Sequence, residues 1–295
     1  MTAEQPSVFG QYVVGYVDVL GQGEAPKQWA ALPEANRPSE AFLNAARSTA
    51  EVVLGYLKSF REHFALLEKC SQPDRVAALP PGLQSTYWRC KNCNVTTERL
   101  SDSFAMYSPL RNRDDDKSIS AVHQMIGACG LITLGSLAVG KPIRGGVSVG
   151  HGAILSDARF YGPALAEAHY MEEERAQWPR ILISDNIKNL LTSPLPYSTD
   201  RRCEDVFRAL AADACKLICR DSDGETTIDI LGPGFRDLLE LAPLLSDTVR
   251  AAKVFVWAQA AKHKANNCDK LAKRYDTLKQ YFRSRFHLWD LSEES

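Results

Sequence analysis

Two aspartates stand where apolar stretches of this chain end. Asp18 closes the run Tyr12-Val13-Val14-Gly15-Tyr16-Val17-Asp18-Val19-Leu20-Gly21. Asp102 sits between two short apolar stretches in Glu98-Arg99-Leu100-Ser101-Asp102-Ser103-Phe104-Ala105-Met106. An ionised carboxylate at the end of a buried strand is costly unless something compensates it, and a cation is one such group. Two hard oxygen ligands on neighbouring strands suit Mg²⁺ or Mn²⁺ carrying a phosphate chain. Either aspartate alone reads as a turn residue facing water. Only the elements around them turn the pair into a site.

Those elements follow from the pattern. Tyr12–Leu20 reads as a buried strand, and a Gly-, Pro- and Ala-rich linker runs from Gly21 to Pro38. Ser39 can cap a long helix to about Lys69, with Phe42, Val53, Leu54, Leu57 and Phe64 at helical spacing. Pro80-Pro81-Gly82 reads as a break. Strands near Asn94–Leu100 and Ser103–Ser108 then form a tight hairpin with Asp102 at its tip. A charged loop, Arg111 to Lys117, precedes a helix to about Val139. The glycine-weakened strand Pro142–Gly150 implies close approach of another backbone or a ligand. A helix starts at Pro163 and runs to about Gln177. A short strand ends at Ile183, Ser184 caps the next helix, and Thr226–Leu231 is a strand.

The order β–α–β–β–α–β predicts an α+β, ferredoxin-like core with a mixed sheet flanked by helices. In that topology the first and third strands are neighbours. The end of strand one and the hairpin tip then meet, which brings Asp18 and Asp102 within reach of one site. We expect one domain over residues 7–241 and a helical C-terminal extension over 242–295.

The bulk numbers narrow the partners. The chain has 295 residues, 45% hydrophobic and 24% charged, with a net charge of −1. It carries no global positive field for nucleic acid or an anionic membrane, which also counts against a polymerase palm enzyme. The first residues lack a basic segment followed by an apolar one, so a cytoplasmic protein is expected. Ile119 to Val139 is weakly polar but reads as a buried core helix. Cys90-Lys91-Asn92-Cys93 has zinc half-site spacing without a second CxxC, and reads as ordinary thiols on a loop or strand.

The ordered set of motifs resembles the class III nucleotide cyclase family. Tyr16-Val17-Asp18-Val19-Leu20-Gly21 is similar to its first metal motif and Leu100-Ser101-Asp102-Ser103 to its second. Arg144-Gly145-Gly146-Val147-Ser148-Val149-Gly150 is similar to its Arg/Gly strand, and Gly162-Pro163-Ala164-Leu165 to the start of its catalytic helix. With Pro179-Arg180-Ile181-Leu182-Ile183-Ser184, these details most resemble the pyrimidine cyclases of the bacterial Pycsar antiphage systems.

The resemblance implies synthesis of cyclic UMP or cyclic CMP, a homodimer with interface active sites, and a separate effector that reads the product. Two Mg²⁺ or Mn²⁺ ions would be held by Asp18 and Asp102, with the carbonyl of Val19 as a further ligand. Backbone N–H groups at Leu20, Gly21 and Gln22 would cradle phosphate oxygens.

The chain also departs from the family. Purine cyclases carry Asn and Arg four residues apart on the catalytic helix, where this chain has Ala166 and Tyr170. Arg144 is the candidate substitute cation, with Arg99 and Arg159 behind it; a salt bridge is its alternative role. At the base-reading positions stand Glu98, an acceptor, and Arg159, a donor. That pair suits uracil, and UTP is favoured; CTP also fits, and Glu98 fits guanine. Tyr56 is a further candidate pocket contact, with simple packing as its alternative. A purine cyclase and a catalytically silent nucleotide-binding domain remain competing readings.

Overall fold

The computed structural model describes residues 8–21, 40–69, 80–91, 93–110, 119–155, 159–192, 201–239 and 245–293. The linker after Gly21, the Ser39 cap and the charged loop from Arg111 to Lys117 lie outside the described residues.

The chain is α+β. Among the described residues, eight strands form one mixed sheet: β1 (Val8–Val19), β2 (Thr96–Leu100), β3 (Ser103–Pro109), β4 (Ile143–Ile154), β5 (Phe160–Tyr161), β6 (Ile181–Ile183), β7 (Ile218–Arg220) and β8 (Thr226–Ile228). Their order is β2-β3-β1-β4-β6-β8-β7, with β5 on the far end of β4. The β4–β6 pair is parallel and the others are antiparallel. The expected adjacency of the first and third strands is observed: Asp18 lies opposite Ser103 on one side and Arg144 on the other.

Period-two alternation sorts β1 between two faces. Val13, Val17 and Val19 join the larger core, together with residues of α1 (Glu40–Lys69) and α3 (Ser120–Ala138). Tyr12 and Val14 face the other way, into a smaller cluster with Tyr107, Phe160, Ala164 and Ala168, and Tyr16 packs beside it. Asp18 shares that parity.

Helix α3 is apolar all round and buried almost throughout. It is long and apolar enough to cross a membrane, but it sits at the centre of the protein's own core.

The chain departs from the expected pattern in four places. Pro81 does not break the chain; it opens α2 (Pro81–Lys91), because proline is well suited to a first helical turn. Cys90 is therefore helical rather than on a loop or strand, and Cys93, past the end of that helix, is in no disulfide. The helix from Pro163 ends as α4 at Tyr170 and continues as a π-turn, Met171–Arg175. There the N–H of Ala176 reaches back five residues to the Met171 carbonyl (2.8 Å). Finally, α5 (Asp185–Thr192), which Ser184 Oγ caps through Ile187 N–H (3.3 Å), is followed by α6 (Arg201–Cys215) and α7 (Pro233–Leu239) around a β7–β8 hairpin.

Helices α8 (Leu245–Ala265) and α9 (Asp269–Arg285) close the chain. Their Val249, Val256, Leu278 and Phe282 are buried in the same cluster as Leu134 and Leu137 of α3.

Candidate active site

The end of β1 and the tip of the β2–β3 hairpin are stitched together by backbone. Val19 N–H donates to the Asp102 carbonyl (3.3 Å), and Ser101 takes the left-handed conformation (φ 61°) that lets the hairpin turn in two residues. Ser103 Oγ donates to the Leu100 carbonyl (2.7 Å). Its one proton is then spent, so Tyr16 OH is the donor in the 2.8 Å Tyr16–Ser103 contact. Ser-Asp-Ser thus locks the loop that carries Asp102.

Gly146 sets the height of the other wall. A Cβ there would stand 2.5 Å from the Ala168 carbonyl oxygen and 2.8 Å from Met171 Cβ. Only glycine lets α4 and its π-turn lie directly on β4. The close approach expected of this Gly-rich strand is to backbone.

Three charged side chains converge on this face. Arg144 Nε is 2.7 Å from Glu172 Oε1 and 3.9 Å from Asp18 Oδ2. Neither Arg144 Nε nor Glu172 Oε1 has an aligned hydrogen bond, so the short contact is an ion pair. Burial pushes the Asp18 carboxyl up, the Asp102 charge adds to that, and Arg144 opposes it. Burial also pushes Glu172 up to about 7, with Arg144 opposing and Asp18 adding. The His169 ring packs on Tyr16 with centroids 4.7 Å apart.

Beside these groups lies a groove of about 610 Å³ lined by Tyr16, Leu100, Tyr161, Pro163, Ala166 and His169, among others. Its size falls in the range of small-ligand sites. Ala166 and Tyr170 are exposed on α4 and supply no cation.

The structure brings together Asp18, Asp102 and Arg144. Glu98 lies on the same sheet face, opposite Ala105, and its Oε2 accepts the N–H of Phe160 (3.4 Å). That contact draws β2 toward the chain next to exposed Arg159.

Other expectations are corrected. Leu20 N–H donates to the Pro142 carbonyl (2.9 Å), so it is not available to cradle a phosphate. Gly21 forms the turn after β1 (φ 83°), and Gln22 lies outside the described residues. Tyr56 is buried on the opposite face of the sheet, where its hydroxyl donates to the Lys141 carbonyl (2.6 Å), a packing role. Arg99 is exposed, pairs with Phe104 across the hairpin, and folds back on the Ser101 carbonyl (Nε to O, 3.3 Å).

The residues present fit a divalent ion that uses few protein ligands. Among the described residues, no three His, Cys, Asp or Glu side chains converge tightly enough to cage a metal. Mg²⁺ and Mn²⁺ sites on nucleotide enzymes commonly need only one or two carboxylates, with phosphate oxygens and water completing the shell. Asp18 and Asp102 offer that set.

Sequence reading missed Glu172 and His169. Glu172 stands in the acidic run Glu172-Glu173-Glu174, which has the look of a solvated face. Its spacing from Ala164 and Ala168, eight and four residues, is the signal that sets it apart: it is buried and the other two are exposed. Comparison with protein-family models, with curated proteins and with solved structures finds no match to this chain.

Proposed function

We propose that the chain is a nucleotide cyclase that converts UTP to 3′,5′-cyclic UMP and pyrophosphate. The observation that carries this is the meeting of Asp18 and Asp102 where the end of β1 joins the β2–β3 hairpin. The antiparallel order β2-β3-β1-β4, with helices between β1 and β2 and between β3 and β4, is that of a ferredoxin-like core. This supports the class III cyclase resemblance.

In this reading the ribose 3′ oxygen attacks the α-phosphorus, its proton passes to solvent, and the bond to pyrophosphate breaks. Two divalent ions, when bound, acidify the 3′ hydroxyl and neutralise the triphosphate. Asp18 and Asp102 would hold the ions. Arg144, beside Asp18, supplies positive charge where the catalytic helix has Ala166 and Tyr170. Glu98 keeps Oε1 to accept from uracil N3–H, and Arg159 donates to a uracil carbonyl. CTP is the nearest alternative substrate. A homodimer with interface sites and a separate effector that reads the cyclic nucleotide, as in antiphage defence, belong to the same proposal.

A second reading has its own observation. Arg144 is engaged by Glu172 and Asp18 rather than free in the groove. That favours a domain that binds nucleotide without turnover.

The test is incubation of the purified chain with all four ribonucleoside triphosphates and Mn²⁺, with products identified by mass. A cyclic pyrimidine monophosphate that disappears in Asp18→Asn supports the cyclase and distinguishes U from C. Cyclic GMP or cyclic AMP would make it a purine cyclase. Metal-dependent nucleotide binding without pyrophosphate release would establish the silent domain.

A further inference from the structure

The π-turn is the least expected element near the site, and it carries Glu172. Through α4 the side chains at Ala164 and Ala168 face the sheet, and Met171 and Glu172 continue the same stripe, three and four residues after Ala168. Glu172 is therefore inward, 4% exposed, while Glu173 and Glu174 face solvent.

The turn is fixed at both ends. At its start, α4 and Met171 rest on Gly146. At its end, Arg175 pairs with Glu225 (Nε to Oε1, 3.0 Å). Arg180, 3% exposed and stacked 4.5 Å from the Trp178 ring centre, holds Asp221 (2.8 Å) and Asp223 while donating to the Arg175 carbonyl (3.3 Å). The β7–β8 hairpin therefore braces the segment that presents Glu172.

We infer that Glu172 is a positioning residue that draws Arg144 off Asp18 and so leaves Asp18 open to a divalent cation. This rests on the metal-binding reading of Asp18. The geometry states the competition directly: one guanidinium stands 2.7 Å from Glu172 and 3.9 Å from Asp18. Like charges repel, so a cation on Asp18 must displace a close guanidinium or tolerate it. With Glu172 holding Arg144, the guanidinium stays beside the site without neutralising its ligand. With Glu172 neutral, Asp18 becomes the nearest carboxylate for Arg144, and the ion meets a competitor.

The experiment measures Mn²⁺ affinity of the full chain by electron paramagnetic resonance, without nucleotide, at pH ~8. It uses the unsubstituted chain, Glu172→Gln, Arg144→Gln, the double variant and Asp18→Asn. Glu172→Gln is expected to weaken Mn²⁺ binding about tenfold, but by less than about twofold in the Arg144→Gln background. Equal losses in both backgrounds, or none in either, overturn the inference. Mn²⁺ binding that Asp18→Asn leaves unchanged overturns the metal reading as well, so the two failures are distinguishable.

Thermal unfolding without metal is the second readout. The changes in midpoint caused by Glu172→Gln and Arg144→Gln are expected to be non-additive in the double variant, because the two side chains act on one another. Additive changes overturn the inference even where metal binding is altered.

Discussion

Asp18 and Arg144 face each other in register across the β1–β4 ladder, yet the guanidinium leans away from its cross-strand partner and onto Glu172. Directly opposed opposite charges on a sheet ordinarily close on one another. Here the sheet supplies the proximity and the π-turn sets its degree. The result is a carboxylate that is partly buried, close to a second carboxylate and only loosely paired.

The first prediction follows from that state of Asp18. Asp18→Asn and Asp102→Asn preserve shape and remove the charges proposed to hold divalent ions. Each is expected to lower cyclic nucleotide formation by about a thousandfold, since metal ions supply several kcal/mol of charge stabilisation in such reactions. Product quantified by mass spectrometry under initial-rate conditions checks this. Activity within tenfold of the unsubstituted chain would remove the two-carboxylate assignment.

Glu172 makes stability depend on pH in a defined direction. Its carboxyl moves from the ordinary 4.5 up to about 7, chiefly through burial. The folded state therefore binds this proton more tightly than the unfolded state. The resulting contribution is present below pH ~4.5 and is lost as pH rises through about 7. Its upper bound is on the order of 3 kcal/mol. Asp18 shifts in the same direction. Urea midpoints of the chain and of Glu172→Gln should diverge across this window, with Glu172→Gln the flatter curve. Parallel curves would mean that the carboxyl titrates alike in the folded and unfolded states.

Much of this site was legible in the sequence because it depends on strand parity and turns. The apolar run to Asp18, the Ser-Asp-Ser tip and the Gly-Gly pair are local signals, and the strand order links them. The parts that escaped depend on tertiary choices. Nothing in Met171-Glu172-Glu173-Glu174-Arg175 marks a five-residue backbone bond, so a continued α-helix was the natural expectation. Tyr56 sits on a helix whose buried stripe was readable, but the sheet face it packs against was not. Leu20 reads as a free amide in the sequence, and only the fold sets the Pro142 carbonyl across from it.

Gly146→Ala tests whether the wall of the site depends on that close packing. The added methyl meets the Ala168 carbonyl, which is backbone and cannot yield like the end of a side chain. Overpacking of this kind costs about 1–3 kcal/mol, and lifting the π-turn also moves Glu172 from Arg144. The expected result is a lower melting midpoint together with weaker Mn²⁺ binding. Gly135→Ala in α3 is the control: its Cβ would meet nothing within 4 Å, so a gain of roughly 0.5–1 kcal/mol is expected. Equal behaviour of the two variants would contradict the packing argument.

The last prediction concerns how the C-terminal helices belong to the rest. Asp229, 4% exposed in the loop after β8, accepts from Arg285 Nη2 (2.8 Å) and Nε (3.1 Å) and from Tyr281 OH (2.8 Å). Tyr281 OH in turn accepts the N–H of Leu231 (2.9 Å), and Trp289 Nε1 donates to the Leu231 carbonyl (2.8 Å). The Asp229 carboxylate and the Leu231 N–H depend on α9 staying in place, and the Leu231 carbonyl on Trp289 just beyond it. Arg285→Met leaves a buried carboxylate without its cation and is expected to cost about 3–5 kcal/mol. Replacing Asp229 and Arg285 together with leucine should cost less than that single change, because no charge is then stranded. Urea unfolding followed by circular dichroism and by the fluorescence of a variant that keeps Trp257 and Trp289 but carries Phe at its other tryptophans distinguishes the possibilities. Coincident transitions, both shifted by Arg285→Met, would mean that α8 and α9 unfold with the sheet as one unit. A fluorescence transition that precedes the main loss of circular dichroism would instead make the tail a separately folding extension.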